Sequence, residues 1–465
     1  MWLEKLLLHP LLNASNDCCK KCTIFERIPD TVCISTYHGK RMKVSVIGLW
    51  VAVFLFLRIP GALFLLFIAA LTNILILQRR DKIVVNKADF ILHLFFAVSL
   101  FASFIGFLQS PNSSLPAAYF AQLLIFYLFY NAVVLNNQER YIIVIEKIMF
   151  FSFSVIAFMA LLEVVFNFNI MAYRYPEAEL LSVVTQDRFM VSAIFVNYND
   201  FSVAMMIYVA LLVGRLSDDY NVIHKLSYSV ILVFTCAICI YIGSRGFLVA
   251  LLLLISIRFY DVFLSKFSMA LRFIFIAGVI AGGLLMIAMY SNAFTGYALD
   301  NSSMERWSII KSYTAITSSN IEILFFGFGD LLNYQNSVRA FWDCYGCAVD
   351  PHNLFLEIGV AYGAVSLVIF TVGYFLSLFF YLLNVRYMTP VERTFITLVI
   401  MYLILGLVPS STLRHYFVFF IIFTIPGIYN AVKYKKFAEA SVRREREKVL
   451  VNGMINAVKN KLKVD

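Results

Sequence analysis

Charge is what this sequence has least of. Only 14% of its 465 residues are Asp, Glu, Lys or Arg, against about a quarter in a soluble domain. Too few charges remain to solvate a globule of this size, which excludes a free cytosolic enzyme. A Gly-x-Ser-x-Gly elbow and a phosphate-binding P-loop are also missing, which removes the familiar hydrolase and nucleotidase signatures. No secretory signal precedes the first apolar run. No internal repeat is evident, which argues against a transporter built from inverted halves.

What the chain has instead is apolar mass. Hydrophobic residues make up 61% of it, with 46 Phe and 26 Tyr, and mean hydropathy is +0.82. This composition predicts an all-α, polytopic integral membrane protein. Runs long enough to cross a bilayer, roughly 17–25 residues, fall near 44–58, 61–78, 89–109, 116–135, 148–166, 190–213, 226–243, 246–257, 271–290, 358–384, 394–409 and 412–432. That is about twelve spans, of which the first and eighth are short enough to be tilted or re-entrant. Threading them alternately with the N-terminus inside puts 30 of the 38 Lys and Arg on the inner side and 8 outside. Such a split follows the positive-inside rule and predicts both termini in the cytoplasm. The +10 net charge then sets orientation and marks no nucleic-acid groove.

The predicted layout is a cytoplasmic N-terminal extension (1–43), nine spans (44–290), a large external loop (291–357), three further spans (358–432) and a basic cytoplasmic tail (433–465). The extension holds Cys18, Cys19, Cys22 and Cys33 with His38, in a spacing that matches no ordered zinc finger. It reads as a disordered arm, with Met42-Lys43 just ahead of the first span. The tail, rich in Arg443, Arg444, Arg446 and Lys448, is expected to lie along the inner membrane surface.

Seven of the eight outward cations are arginines: Arg58, Arg174, Arg188, Arg245, Arg306, Arg339 and Arg414, with Lys311. Arginine offers a planar, permanently charged fork that grips phosphate oxygens in pairs. Arg58 and Arg174 read as interfacial anchors. Arg188 and Arg245 sit at helix entrances among apolar residues, where an unpaired charge is costly, so a bound anion is the better reading. Arg245 lies in Gly243-Ser244-Arg245-Gly246, whose glycines permit a tight turn. Only His352 and His415 of the six histidines reach the outer side. His352, in Asp350-Pro351-His352-Asn353, stands where the large loop enters the tenth span, and imidazole is the usual general base near neutral pH. The competing structural reading is a histidine that caps this helix. No outward Asp-x-Asp pair, His-x-x-His or Cys/His set has metal-ligand spacing, so neither a metal nor another cofactor is expected. Cys344 and Cys347 form a C-x-x-C in the loop, where a disulfide is plausible in an oxidising compartment. Buried acids are few: Glu163 near the outer end of the fifth span, and Asp200, read as lying about ten residues into the sixth. Asn197 and Asn199 are nearby partners for Asp200.

In order and in predicted topology, four pieces resemble the O-antigen polymerase and O-antigen ligase superfamily of bacterial inner-membrane glycosyltransferases. They are Arg188 with Asn197-Tyr198-Asn199-Asp200; Gly243-Ser244-Arg245-Gly246; Arg306-Trp307 with Phe326-Gly327-Phe328-Gly329; and His352-Asn353 with Glu357 and Gly363. The resemblance covers residues 188 to about 366. It departs from the ligases at Ser366, where they show Gly, Thr or Tyr. It also lacks the arginine-plus-spaced-glycine repeats of some polymerases after Arg174, Arg188 or Arg306. Polymerase and ligase both stay open, and length and composition favour polymerase.

The resemblance implies an undecaprenyl-diphosphate-linked oligosaccharide as substrate, membrane lipids as surroundings, no nucleic acid, and a chain-length regulator protein as a further partner. It implies His352 as the base and Arg188, Arg245 and Arg306 as the diphosphate grip. Asn197, Asn199, Asp200, Ser244, Asn353 and Glu357 would support them. A flippase for the same lipid-linked sugars is the main rival, and it would line the middle of several spans with polar groups. A structural scaffold gives no reason for outward arginines beside His352.

Overall fold

The computed structural model describes residues 48–77, 86–109, 114–135, 138–168, 170, 191, 193–195, 198–218, 221–263, 266–267, 271, 311–317, 320–329, 331–342, 353–406 and 416–461. Every regular element among them is helical. The first seven are α1 (Ala52–Phe56), α2 (Ala62–Leu77), α3 (Lys87–Gln109), α4 (Ser114–Phe129, ending in a π-helical turn over Tyr130–Val134), α5 (Gln138–Phe166), α6 (Tyr198–Asp218) and α7 (Val222–Tyr241). They are followed by α8 (Arg245–Val262), α9 (Ile321–Phe326), α10 (Leu331–Trp342), α11 (Leu354–Asn384), α12 (Pro390–Leu405), α13 (Phe417–Ile422) and α14 (Ile425–Lys461).

Seven helical stretches among the described residues are long and apolar enough to cross a bilayer. The all-α membrane class is therefore shown. Helices stand at eleven of the twelve expected runs, while 271–290 lies almost wholly outside the described residues, as does the extension 1–43. Within the first run, residues 48–50 and α1 are helical, and the backbone leaves the helix at Arg58, whose φ is 53°. The sixth helix starts at Tyr198 rather than near 190. This corrects the reading of Asp200, which lies in the first turn of α6. An acid there faces the positive end of the helix dipole, a far cheaper place than mid-bilayer.

α6 is the axis of the bundle. Its residues 201–212 are buried all round, as a helix that is apolar on every face must be. α5, α7, α8 and α12 pack around it. α7 turns Val222, Ile223, Leu226, Val230 and Val233 outward, the pattern of a lipid-facing wall. Aromatic rings fill the neighbouring core: Phe126 stacks on Phe419 at 4.6 Å, and Phe56 meets Phe420 edge-on at 4.9 Å.

One end of the bundle is tied by a buried carboxylate. Asp89 accepts hydrogen bonds from the Tyr130 hydroxyl, from Gln138 Nε2 (2.8 Å) and from the Asn86 backbone N–H (2.9 Å). Asn430 Nδ2 then donates to Gln138 Oε1 at 2.7 Å. The network joins α3, α4, α5 and α14, and it satisfies a charge that would otherwise be expensive to bury. The tail is helical: α14 runs from Ile425 through residues 433–461 as one helix, about 55 Å at 1.5 Å per residue.

Backbone meets backbone where the segment between α8 and α11 docks. α11 is broken at Gly363 (φ 79°, ψ 173°), a conformation open only to glycine. Gly327, after α9, has φ 71° and ψ −166°. The Phe328 N–H donates to the Val360 carbonyl at 2.7 Å. A Cβ on Gly363 would stand 2.0 Å from the Phe325 carbonyl oxygen, and one on Gly329 would stand 2.7 Å from Gly106 Cα in α3. Phe326-Gly327-Phe328-Gly329 is thus wedged between α3 and the break in α11.

Gly363→Ala is expected to destabilise the protein by more than about 3 kcal/mol, since backbone strain and a main-chain clash add. Gly61→Ala, at φ +80° but with open space around it, should cost only about 1–2 kcal/mol. Thermal unfolding of the two variants in detergent checks the ordering, and equal losses would refute the wedge.

Candidate functional site

Four contacts fix which helix ends lie together. Arg258 Nη2 on α8 donates to Thr394 Oγ1 on α12 at 3.3 Å. A Cβ on Gly214 of α6 would stand 2.2 Å from that same oxygen. Tyr260 on α8 donates to the Leu382 carbonyl of α11 at 3.1 Å, and Tyr381 donates to Asp261. The C-terminal ends of α6, α8 and α11 therefore meet the N-terminal end of α12. These helices pack along their lengths, so the N-termini of α6, α8 and α11 share the other end, with the end of α12. There the Leu354 N–H donates to the Gly406 carbonyl at 3.0 Å.

Three parallel helices thus aim their positive dipole ends at one side. Unpaired N–H groups and aligned peptide dipoles make such ends favourable for anions. Each carries a motif singled out in the sequence. α6 begins at Tyr198-Asn199-Asp200, with Asp200 buried. α8 is capped by Ser244, whose hydroxyl accepts from the Phe247 N–H at 3.3 Å, and Arg245 is its first residue. α11 is capped by Asn353, whose Oδ1 accepts from the N–H groups of Phe355 (2.9 Å) and Leu356 (3.2 Å). Glu357, in the first turn of α11, is 1% exposed.

The segment 311–342 covers the start of α11. Phe328, Tyr334, Val338 and Val360 form a buried cluster, against which Tyr313, Ile316, Ile323 and Leu356 pack. Tyr313 reaches the helix where glycine leaves room, since a Cβ on Gly359 would stand 2.9 Å from its hydroxyl. Burial pushes the Tyr313 hydroxyl up to about 12, so it stays a neutral donor at physiological pH.

Glu163, fully buried at the end of α5, accepts from the Ile170 N–H (2.8 Å) and the Ala193 N–H (2.9 Å). One carboxylate thereby ties down both ends of the connection that leads toward α6. The Arg58 guanidinium sits 4.7 Å above the ring of Phe195 in that same connection, a cation–π contact more specific than a headgroup anchor.

One family model matches part of this geometry. Residues 230–371 match the family model described as O-Antigen ligase. The match supports the O-antigen ligase and polymerase superfamily. None of the curated proteins matches the chain.

The matched segment runs from within α7 to the middle of α11, taking in the Ser244 and Asn353 caps and the Gly327–Gly363 wedge, while α6 precedes it. The family's activity is of glycosyltransferase type. Arg188, Asn197, Arg306 and His352 lie outside the described residues, as do Arg174, Arg414, His415, Cys344, Cys347 and the side chain of Arg245. Covalent connectivity still puts His352 one residue before the Asn353 cap. Sequence reasoning flagged Glu163 as buried but not its double hold on the backbone. It passed over Gly106 and Tyr313, which no local pattern marks.

An apolar groove of about 370 Å³ opens between α3, α11, α12, α13 and α14. Its lining runs from Leu354, beside the Asn353 cap, along Phe370 and Tyr374 to Leu383 and Lys87 at the opposite end.

Asn353→Ala should remove the cap of α11 at a cost of about 0.5–2 kcal/mol and lower polymer output. Asn353→Asp or Asn353→Ser, which can still accept from the Phe355 and Leu356 N–H groups, should keep both. Amide exchange at those two residues, read beside surface-polysaccharide gels, checks this.

Proposed function

We propose that the chain is an O-antigen polymerase that joins undecaprenyl-diphosphate-linked repeat units on the external face of a bacterial inner membrane. The observation that carries the reading is the convergence of three helix N-termini, each bearing a family motif, beside an apolar groove. A polyprenyl chain fits the groove by its chemistry, and its diphosphate fits the helix ends. In the reaction, the acceptor hydroxyl oxygen attacks the anomeric carbon of the donor sugar. The carbon–oxygen bond to the diphosphate breaks, and the lipid diphosphate departs with the bonding pair. His352 takes the hydroxyl proton. Arg188, Arg245 and Arg306, with the N-termini of α6, α8 and α11, neutralise the leaving diphosphate. Asn353 and Ser244 hold two of those termini, while Asn197, Asn199, Asp200 and Glu357 support the arrangement. The proposed topology has twelve spans, both ends in the cytoplasm, and a large external loop between the ninth and tenth. The bound partner is the lipid-linked oligosaccharide, and a chain-length regulator is a further one.

The match to the O-Antigen ligase family favours a second reading, transfer of finished polymer to lipid A core. Deletion of the gene separates the two. A single-repeat band on the core indicates a polymerase, whereas a bare core with polymer left on its lipid carrier indicates a ligase.

His352→Ala should abolish long O-chains at unchanged protein level. Persistence of those chains on silver-stained gels would remove His352 from the mechanism. Arg245→Lys should be nearly as damaging as Arg245→Ala, because the bidentate fork is lost. Full polymer from the Lys variant would show that a point charge suffices.

A further inference from the structure

A second cavity, edged by charged groups, lies at the far end of the same helices. It measures about 370 Å³ and is lined by Ile143, Glu146, Lys147, Gly214, Arg215 and Thr394, among others. Thr394 opens α12 and Gly406 follows its end, so the cavity is about 18 Å from the Asn353 cap along that helix. The absence of a side chain at Gly214 makes the room, as its clash with Thr394 Oγ1 shows.

The groups around this cavity are held in place and carry excess positive charge. Arg215 donates through Nε and Nη2 to Glu146 Oε1 (2.7 Å) and Oε2 (3.1 Å). Its guanidinium lies 3.5 Å from the centre of the Phe150 ring. A guanidinium fixed this way retains donors beyond the two that Glu146 uses. Arg258 donates to the lining Thr394 and stands 3.6 Å from Asp261, and its buried Nε has no hydrogen-bond partner. Arg393, whose Nε donates to the Met388 carbonyl, is near enough to repel Arg258. Lys147 is exposed at the rim. Glu392 nearby is already paired with Lys435 at 3.0 Å. Among the described residues, the acids set against Lys147, Arg215, Arg258 and Arg393 are Glu146 and Asp261.

We propose that this cavity binds the phosphate of a membrane glycerophospholipid. A phosphate near Thr394 would answer the surplus charge with charge-assisted hydrogen bonds. A lipid rather than a free ion is indicated by the walls. Tyr228 also lines the cavity, and it sits on α7 between Leu226 and Val230, both exposed on the lipid-facing side. Acyl chains can run down that wall while the headgroup enters between α5, α6 and α12. Under the proposed topology this is the cytoplasmic leaflet, so the site takes no part in glycosyl transfer.

The full chain purified in detergent, freed of endogenous lipid, tests this by thermal shift with three probes. They are phosphatidylglycerol, diacylglycerol with the same acyl chains, and inorganic phosphate. Saturable stabilisation by phosphatidylglycerol alone is expected, with apparent affinity falling at least fivefold in Arg258→Gln and in the surface variant Lys147→Gln, which leaves the core untouched. Equal stabilisation by diacylglycerol, or an unchanged affinity in Lys147→Gln, would overturn the phosphate site. Equal stabilisation by inorganic phosphate would overturn the lipid as its occupant.

Discussion

Everything at the functional end of this molecule rests on main-chain atoms touching main-chain atoms. Gly106, Gly327, Gly329 and Gly363 bring α3, the segment after α9 and the break in α11 closer than any side chain would allow. In a bilayer there is little hydrophobic gain from pressing one apolar helix on another, so close approach of small residues supplies much of the association. The interruption in α11 is also what gives Val360 a free carbonyl for the Phe328 N–H. A straight helix would have spent that acceptor internally. The wedge and the kink therefore require each other, and they fix the first nine residues of α11 as a piece distinct from the span below.

That piece is capped by Asn353, carries Glu357 and begins two residues after His352. Its dipole is its own, because the peptide units beyond Gly363 start a new direction. With the N-termini of α6 and α8 at the same end, the three termini make an electropositive end from backbone alone, before any arginine is added. Glu163 and Arg58 shape the approach to α6 from the other side, one by holding N–H groups at Ile170 and Ala193, the other by resting on Phe195. Arginines can be placed with economy on such a frame, since the field they extend already exists.

The sequence disclosed the membrane class and the approximate position of most helices, because long apolar runs have no other physical outlet. It singled out Ser244 and Asn353 within their motifs but not as caps, and its cap reading fell on His352, one residue before the Asn353 that caps α11. It misplaced Asp200 because apolar residues 190–196 look like helix in composition although the chain becomes helical only at Tyr198. Hydropathy measures solvent preference and is blind to where a helix starts. The start of the tail was placed at residue 433 by its charges, whereas the helix that contains it, Ile425–Lys461, begins in the apolar run before it. Gly106 was invisible since its role depends on Gly329, more than two hundred residues distant. Two short motifs can be seen separately, but their contact belongs to the folded state.

The uninterrupted α14 has a mechanical corollary. Ile425, Pro426 and Tyr429 form part of the wall of the apolar groove, and the same helix runs on to Lys461. A displacement of its far turns is passed through a continuous hydrogen-bonded ladder toward that wall. The chamber thus has a lever some tens of ångströms long.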